Sequence, residues 1–420
     1  MDEQMLDNWR ARMDAGTQCL SREQYKEAEE CFRASAELAF QMDVPVILAF
    51  TLRLLATTRV KLGRLDSAEK GFNEALAICE RIDNAKGMAE AWAGLASVFS
   101  ARGLFEQAAE AYERSIAVYP ESSPLLRLGM LYSDLGQVYS SLQNWDKALS
   151  AYDRARELCR LQAYSKGEAE LEVLMGEIFY RQGKNKEAER WLKKACQDFA
   201  LLGEWQTLAN ALQYLAFIYF DQNKSELARH AQQRAVAIFV HLLMTEEASE
   251  SCYFLSKIEQ TLGGEEAEQY LELSIELYDR EDLGLAMRYQ SLAGLALTAL
   301  DLPKAEGYFT EALRLFEAVQ EKVKAGEVCQ TLAMLADVDG RRNTAREYYL
   351  RAVELEEGHP ALVLEALQGL AGFYEKYLEY RNALETYWSA LKTAREYDLD
   401  MEIIEQSIQR VSKLWRKRIK

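Results

Sequence analysis

The sequence predicts an all-α fold, a solenoid of about ten helical hairpins followed by one further helix. Three observations predict it. One alanine recurs along the chain, at Ala28, Ala68, Ala108, Ala148, Ala188, Ala228, Ala267, Ala305, Ala345 and Ala383, at intervals of 38 to 40 residues. A second small residue sits twelve positions earlier: Gly16, Ala56, Ala96, Gly136, Gly176, Ala216, Ala293, Ala333 and Ala371, with Ser256 displaced to eleven. Proline is scarce, five in 420 residues, while alanine, leucine, glutamate and glutamine abound, a composition that favours helix throughout.

Each unit reads in the same order. The first small residue lies in a helix A of apolar period. A short turn follows, often with glycine, as in Leu62-Gly63-Arg64, Arg102-Gly103-Leu104 and Gln182-Gly183-Lys184. Glycine there fits a left-handed helix C-cap. Helix B then carries the recurring alanine, a bulky residue four later and a small one seven later, such as Phe72 and Ala75 or Tyr152 and Ala155. That spacing is one face of a helix. The displaced Ser256 predicts a seventh turn one residue shorter. Small residues let helices A and B approach closely, and a single hairpin cannot bury its apolar face, so the hairpins stack. Residues 1–398 read as one repeat domain. Residues 399–420 read as a C-terminal capping helix, apolar along Ile403, Ile404, Ile408, Val411, Leu414 and Trp415, with a basic end.

The third unit, AEAWAGLASVFSARGLFEQAAEAYERSIAVYP over residues 89–120, strongly resembles the tetratricopeptide repeat. Trp92, Leu95, Ala96, Phe99, Gly103, Phe105, Ala108, Tyr112, Ser115 and Pro120 occupy that repeat's characteristic positions. The pattern covers nearly the whole chain. It weakens in units seven to nine, where Glu259, Ala296 and Ala336 replace the helix-A aromatic found at Phe99, Tyr139, Phe179, Tyr219 and Tyr374. The period of about 40 resembles the long repeats of kinesin light chains, Pins-type adaptors and Rap-type peptide receptors, and the sensor arms of some bacterial signalling ATPases. The resemblance implies a right-handed superhelix whose inner wall is built by helix A.

Net charge is −17, which disfavours sequence-independent binding to nucleic acid or to an anionic membrane. No stretch approaches 18 uncharged apolar residues, and the acidic start MDEQMLDNWR lacks the plan of a signal peptide. Seven scattered cysteines without a CxxC suit buried thiols in a reducing compartment. A soluble, cytoplasmic protein is expected.

A search for chemistry finds no catalytic constellation, metal site or cofactor motif. His230, His241 and His359 share no metal-binding spacing, and no GxGxxG, GxxxxGK[ST] or GxSxG motif occurs. The sequence therefore reads as a non-enzyme that needs no cofactor. The resemblance implies that groove residues lie six and three before the small helix-A residue, and one and four after it. In unit four these are Met130, Ser133, Gln137 and Ser140; in unit five Glu170, Val173, Glu177 and Tyr180; in unit six Asn210, Gln213, Phe217 and Phe220; in unit seven Glu250, Tyr253, Lys257 and Gln260. Tyr180, Phe217, Phe220 and Tyr253 are expected as an aromatic anchor or as packing between repeats. The groove carries many carboxylates and few cations, so a partner with lysine or arginine is expected there, with Glu170, Glu177, Gln213 and Lys257 among the contacts.

The leading expectation is a scaffold or adaptor that binds a peptide or helix of another protein. One alternative is a sensor closed by a peptide or small ligand. Rap-type receptors carry a separate N-terminal bundle, and here the repeats begin almost at Met1, which counts against it. A second alternative is a non-catalytic subunit of an enzyme complex.

Overall fold

The computed structural model describes residues 3–419, which contain 21 α-helices and no strand. In the first part, α1 (Glu3–Ser21) pairs with α2 (Tyr25–Gln41), α3 (Pro45–Lys61) with α4 (Leu65–Arg81), α5 (Ala85–Ala101) with α6 (Phe105–Ala117), α7 (Leu125–Ser141) with α8 (Trp145–Leu161), and α9 (Ser165–Arg181) with α10 (Asn185–Leu202). Next come α11 (Trp205–Asp221) and α12 (Ser225–His241). Then α13 (Thr245–Leu262) pairs with α14 (Ala267–Glu276), α15 (Leu283–Thr298) with α16 (Leu302–Ala318), α17 (Lys322–Val338) with α18 (Arg342–Leu355), and α19 (Pro360–Lys376) with α20 (Tyr380–Glu396), on which α21 (Glu402–Ile419) packs. The chain divides into two compact units, one ending at Ile218 and the other beginning at Tyr219, within α11.

Both columns of small residues have a steric cause. Nine of the helix-B alanines are 0% exposed and Ala267 is 3% exposed. A Cβ on Gly16, Gly136 or Gly176 would stand 2.5–2.9 Å from Phe32, Tyr152 or Leu192. Those bulky residues lie four after the helix-B alanine. The small residue of helix A and the bulky residue of helix B are therefore two halves of one contact.

Each hairpin turn holds one left-handed residue five positions before the helix-B alanine. Glu23, Gly63, Gly103, Gln143, Gly183, Asn223, Leu300, Gly340 and Leu378 have φ between 55° and 74°. Gly263, with φ 69°, stands only four before Ala267, which makes the seventh turn one residue shorter. Leu300 holds this conformation while 81% exposed, with φ 61°. Left-handed backbone costs a residue with a Cβ about 1–2 kcal/mol. Glycine's extra freedom in the unfolded chain offsets about 0.5–1 kcal/mol of that gain. Leu300→Gly is expected to raise the denaturation midpoint, by up to about 1 kcal/mol of stability. A midpoint that falls would show that the leucine side chain contributes more than its backbone strain removes.

Two irregular places hold buried carboxyls. Glu259, where units three to six and unit ten have an aromatic, is 1% exposed, and its nearest cation atom is Arg229 Nε at 3.9 Å. Gly264 leaves it room, since a Cβ there would be 2.2 Å from Glu259 Oε2. Units five and six have Lys184 and Lys224 at the corresponding place, with Nζ 5.9 and 5.7 Å from the Phe179 and Tyr219 rings. Glutamate and glycine thus replace an aromatic and a lysine together.

Glu356, at the end of α18, is 0% exposed. Gln330 donates to its Oε1 at 2.8 Å, and its Oε2 has no hydrogen-bond partner. Burial pushes this carboxyl above the ordinary carboxylate range; the Gln330 hydrogen bond opposes that, and the charges of Glu365 and Glu327 add to it. The unfolded chain ionises the group in the ordinary range, whereas the folded chain holds the proton to higher pH. Stability is therefore kept below the unfolded value and falls as pH rises from there towards the raised value. Glu356→Gln imitates the protonated form. It is expected to flatten this fall, melting above the parent in mildly alkaline buffer and close to it in acid. Parallel melting curves at all pH values would show that Glu356 ionises freely in the fold.

Candidate functional site

Within the first unit, α7, α9 and α11 together line a cavity of about 410 Å³. Its walls are helix-A residues at helical spacing: Leu126, Met130, Ser133 and Gln137 on α7; Glu170, Val173, Leu174 and Glu177 on α9; Thr207, Asn210 and Tyr214 on α11. Gly129, Gly167 and Ala211 open its floor down to Leu171, Phe199 and Cys159. Seven of the positions expected to face the groove, Met130, Ser133, Gln137, Glu170, Val173, Glu177 and Asn210, lie on this one cavity. Sequence reasoning missed Leu126, Leu174, Thr207 and Tyr214. They lie three or four residues from Met130, Glu170 and Asn210 along the same helical faces, so a wider stripe would have included them.

The two cavity carboxylates differ. Glu177 accepts from Arg181 Nη2 at 2.6 Å and Nε at 3.1 Å, so its charge is already met within α9. Glu170 makes no ion pair or hydrogen bond among the described residues. Partial desolvation by the cavity walls raises its pKa, opposed by Lys166 and reinforced by Glu204. Lys166 itself pairs with Glu204 at 2.8 Å. The Tyr214 hydroxyl is also pushed up, by burial first and then by Glu177, with Arg181 opposing. The site is thus an apolar recess with amide and hydroxyl groups on its rim and one uncompensated carboxylate. Such a recess can hold an apolar body carrying a positive charge.

The remaining candidates are placed as follows. Tyr180 and Gln213 are half-buried and Phe217 is 42% exposed, all within the first unit. Phe220 and Tyr253 belong to the second unit. Phe220 stacks edge-on against Phe254, with ring centroids 5.5 Å apart. Lys257 Nζ lies 4.3 Å and the Arg288 guanidinium 5.0 Å from the centre of the Tyr253 ring. Glu250 accepts from Arg288 at 2.7 Å. In the second unit these candidates already engage neighbouring side chains.

All seven cysteines are free thiols; Cys79, Cys159, Cys196, Cys252 and Cys329 are buried, and Cys19 and Cys31 are partly exposed. No helix among the described residues is long and apolar enough to cross a membrane.

Comparison with known proteins agrees with this architecture. Among curated proteins, the chain is 25% identical over 295 residues to the CTR9 homolog of Arabidopsis thaliana, covering 70% of this chain and 24% of that protein. The chain thus matches about a quarter of that relative's length. Among solved structures, apo RapI superposes with a TM-score of 0.61 at 12% identity, covering 83% of this chain and 97% of that one. The quorum sensor NprR from B. thuringiensis, also in its apo form, superposes with a TM-score of 0.49 at 15% identity, covering 83% and 98%. The family profile of the MalT-like TPR region matches residues 3–234, a span that holds every wall of the cavity. This chain is a tetratricopeptide-repeat protein and belongs to the family of the MalT-like TPR region.

Proposed function

We propose that the protein is an interaction module that holds a segment of another protein against its helix-A surface, with the cavity of the first unit at the centre of the contact. One observation carries this reading: groove positions from three successive repeats converge on a single recess that the fold itself leaves unfilled. The partner segment carries lysine or arginine, because the recess offers carboxylates and no unpaired cation. Tyr180, Gln213 and Phe217 continue the same helix faces and belong to the proposed contact; Phe220, Tyr253 and Lys257 are the candidates of the second unit, taken by itself. A scaffold or adaptor role in the cytoplasm is the setting proposed for it.

The cavity also supports the second reading, a sensor, because its volume falls in the range that takes a small ligand. The test is Val173→Trp, which fills the recess from a half-buried wall position. Proteins captured from the native source by parent and variant are compared by mass spectrometry, with a thermal melt as folding control. A partner lost from a normally melting variant supports the reading. A partner retained in full moves the contact to the helix-B face. Capture is also expected to weaken with salt, since carboxylate–cation pairs are screened.

A further inference from the structure

We propose that the α7–α9–α11 cavity is a receptor for a single basic side chain of the bound segment, with Glu170 as its counter-ion and the apolar lining as the seat of its carrier. The proposal rests on the interaction reading above and narrows it to one residue and one ligand chemistry.

Geometry separates Glu170 from the other carboxylates near the groove. Glu177 is held by Arg181 at 2.6 Å, Glu204 by Lys166 at 2.8 Å, and Glu90, further along the first unit, by Arg127 at 2.8 Å. Of the two carboxylates on the cavity wall, Glu170 is the one without an ion pair or hydrogen bond among the described residues, and so is left to meet a charge brought by a ligand. Around it the cavity is mainly apolar, with Met130, Val173, Leu174 and Leu171 on the lining. Lysine and arginine suit such a place, because a long methylene stem packs on apolar surface while the head reaches a charge or water. Gln137 and Asn210 stand on the opposite walls, where amide oxygens can accept the remaining N–H donors.

The arrangement makes binding pH-dependent. Because partial desolvation and Glu204 raise the pKa of Glu170, with Lys166 opposing, a proton competes with a docking cation there as pH falls towards the carboxylate range. Affinity therefore rises with pH through the interval in which Glu170 ionises. The charged and titratable groups around it are Lys166, Glu177 and Arg181 on its own helix, Glu204 before α11, Tyr214 on α11, Tyr164 before α9 and the buried Cys159 thiol on α8; α7 contributes none to the cavity. Burial, with Glu168 and Glu170, raises the Cys159 thiol, which keeps it neutral over the same interval.

The test uses the full chain and three probes in isothermal titration: the end-blocked tripeptide leucyl-lysyl-leucine, its leucyl-glutaminyl-leucine analogue, and hexylammonium as a free amine. The lysine peptide is expected to bind about tenfold or more tightly than the glutamine peptide, the scale of one hydrogen bond to a charged group. Glu170→Gln should abolish that ratio, with an unchanged melting curve as the folding control. The ratio should also grow as pH rises above the ordinary carboxylate range. Equal affinity of the two peptides for the parent, or an undiminished ratio in Glu170→Gln, overturns the proposal. Hexylammonium binding as tightly as the lysine peptide overturns the peptide source in favour of a free amine. If these arms fail while Val173→Trp still loses the captured partner, the interaction reading stands without the cation receptor. If Val173→Trp retains the partner as well, both fall.

Discussion

Removal of residues 399–420 is expected to lower the melting temperature of the second unit and to drive the truncated protein into larger species. α21 buries Ile404 (1% exposed), Ile408 (8%) and Val411 (0%) in one cluster with Tyr387, Leu391 and Ala394 of α20 and Tyr374 of α19. Burying an aliphatic side chain of this size contributes about 1.5–3 kcal/mol. Deletion removes three of them and uncovers the face they cover. Polar contacts go with them: Arg410 forms a bidentate pair with Glu375 at 3.0 and 2.8 Å, and Arg418 donates to the Leu378 carbonyl at 2.8 Å. The exposed apolar face would then be available for association. Light scattering and a thermal melt read both effects. A truncated chain with the parent's molar mass and melting point would mean that the segment does not cap the stack. Its basic end, from Trp415 to Lys420, would then be the better candidate for docking on an acidic surface.

The repeat was legible because its cause is local and strict. Where two helices cross closely, only alanine, glycine or serine fits, so steric exclusion writes a column of small residues into the sequence at every crossing. The same column places the left-handed turn residue, even where Glu23, Gln143, Leu300 or Leu378 stands instead of glycine, because the helix-B alanine fixes the count back from it. Part of the cavity wall was legible for the same reason. Met130, Glu170 and Asn210 share a helical phase, and equal phase in stacked repeats brings side chains to one recess. The state of each side chain there was not legible. Glu170 and Glu177 are alike in sequence pattern, yet Arg181, one turn along, engages one and leaves the other. The role of the second-unit aromatics was hidden for a related reason. What covers Tyr253 is Arg288, and Arg288 occupies a position whose type its own repeat pattern does not announce.

Arg288→Ala is expected to destabilise the second unit by about 2–5 kcal/mol, the usual range for emptying a large buried site. Arg288 lies five positions before Ala293, where the other units carry Ala11, Thr51, Ala91, Leu131, Leu171, Ala211, Ser251, Val328 and Ala366. It is nevertheless 2% exposed. A buried guanidinium is tolerated only when its donors are met and its charge is balanced. Here Nε donates to Ser274 Oγ at 2.7 Å, Nη1 to the Gly284 carbonyl at 3.0 Å, and Nη2 to Ser249 Oγ at 3.3 Å and Glu250 Oε1 at 2.7 Å. Its plane lies against Tyr278, 4.1 Å from the ring centre, with Tyr253 at 5.0 Å. The group thus ties α13, α14 and α15 together where the repeat is least regular and α14 is only 10 residues long. Alanine removes all four bonds and leaves a void between the two tyrosine rings. Arg288→Met separates the causes, because it restores much of the volume and none of the bonds. A methionine variant that recovers most of the stability assigns the effect to packing. One that melts with the alanine variant assigns it to the hydrogen bonds and charge. An alanine variant that melts like the parent would mean that α13 and α15 hold their places without this side chain.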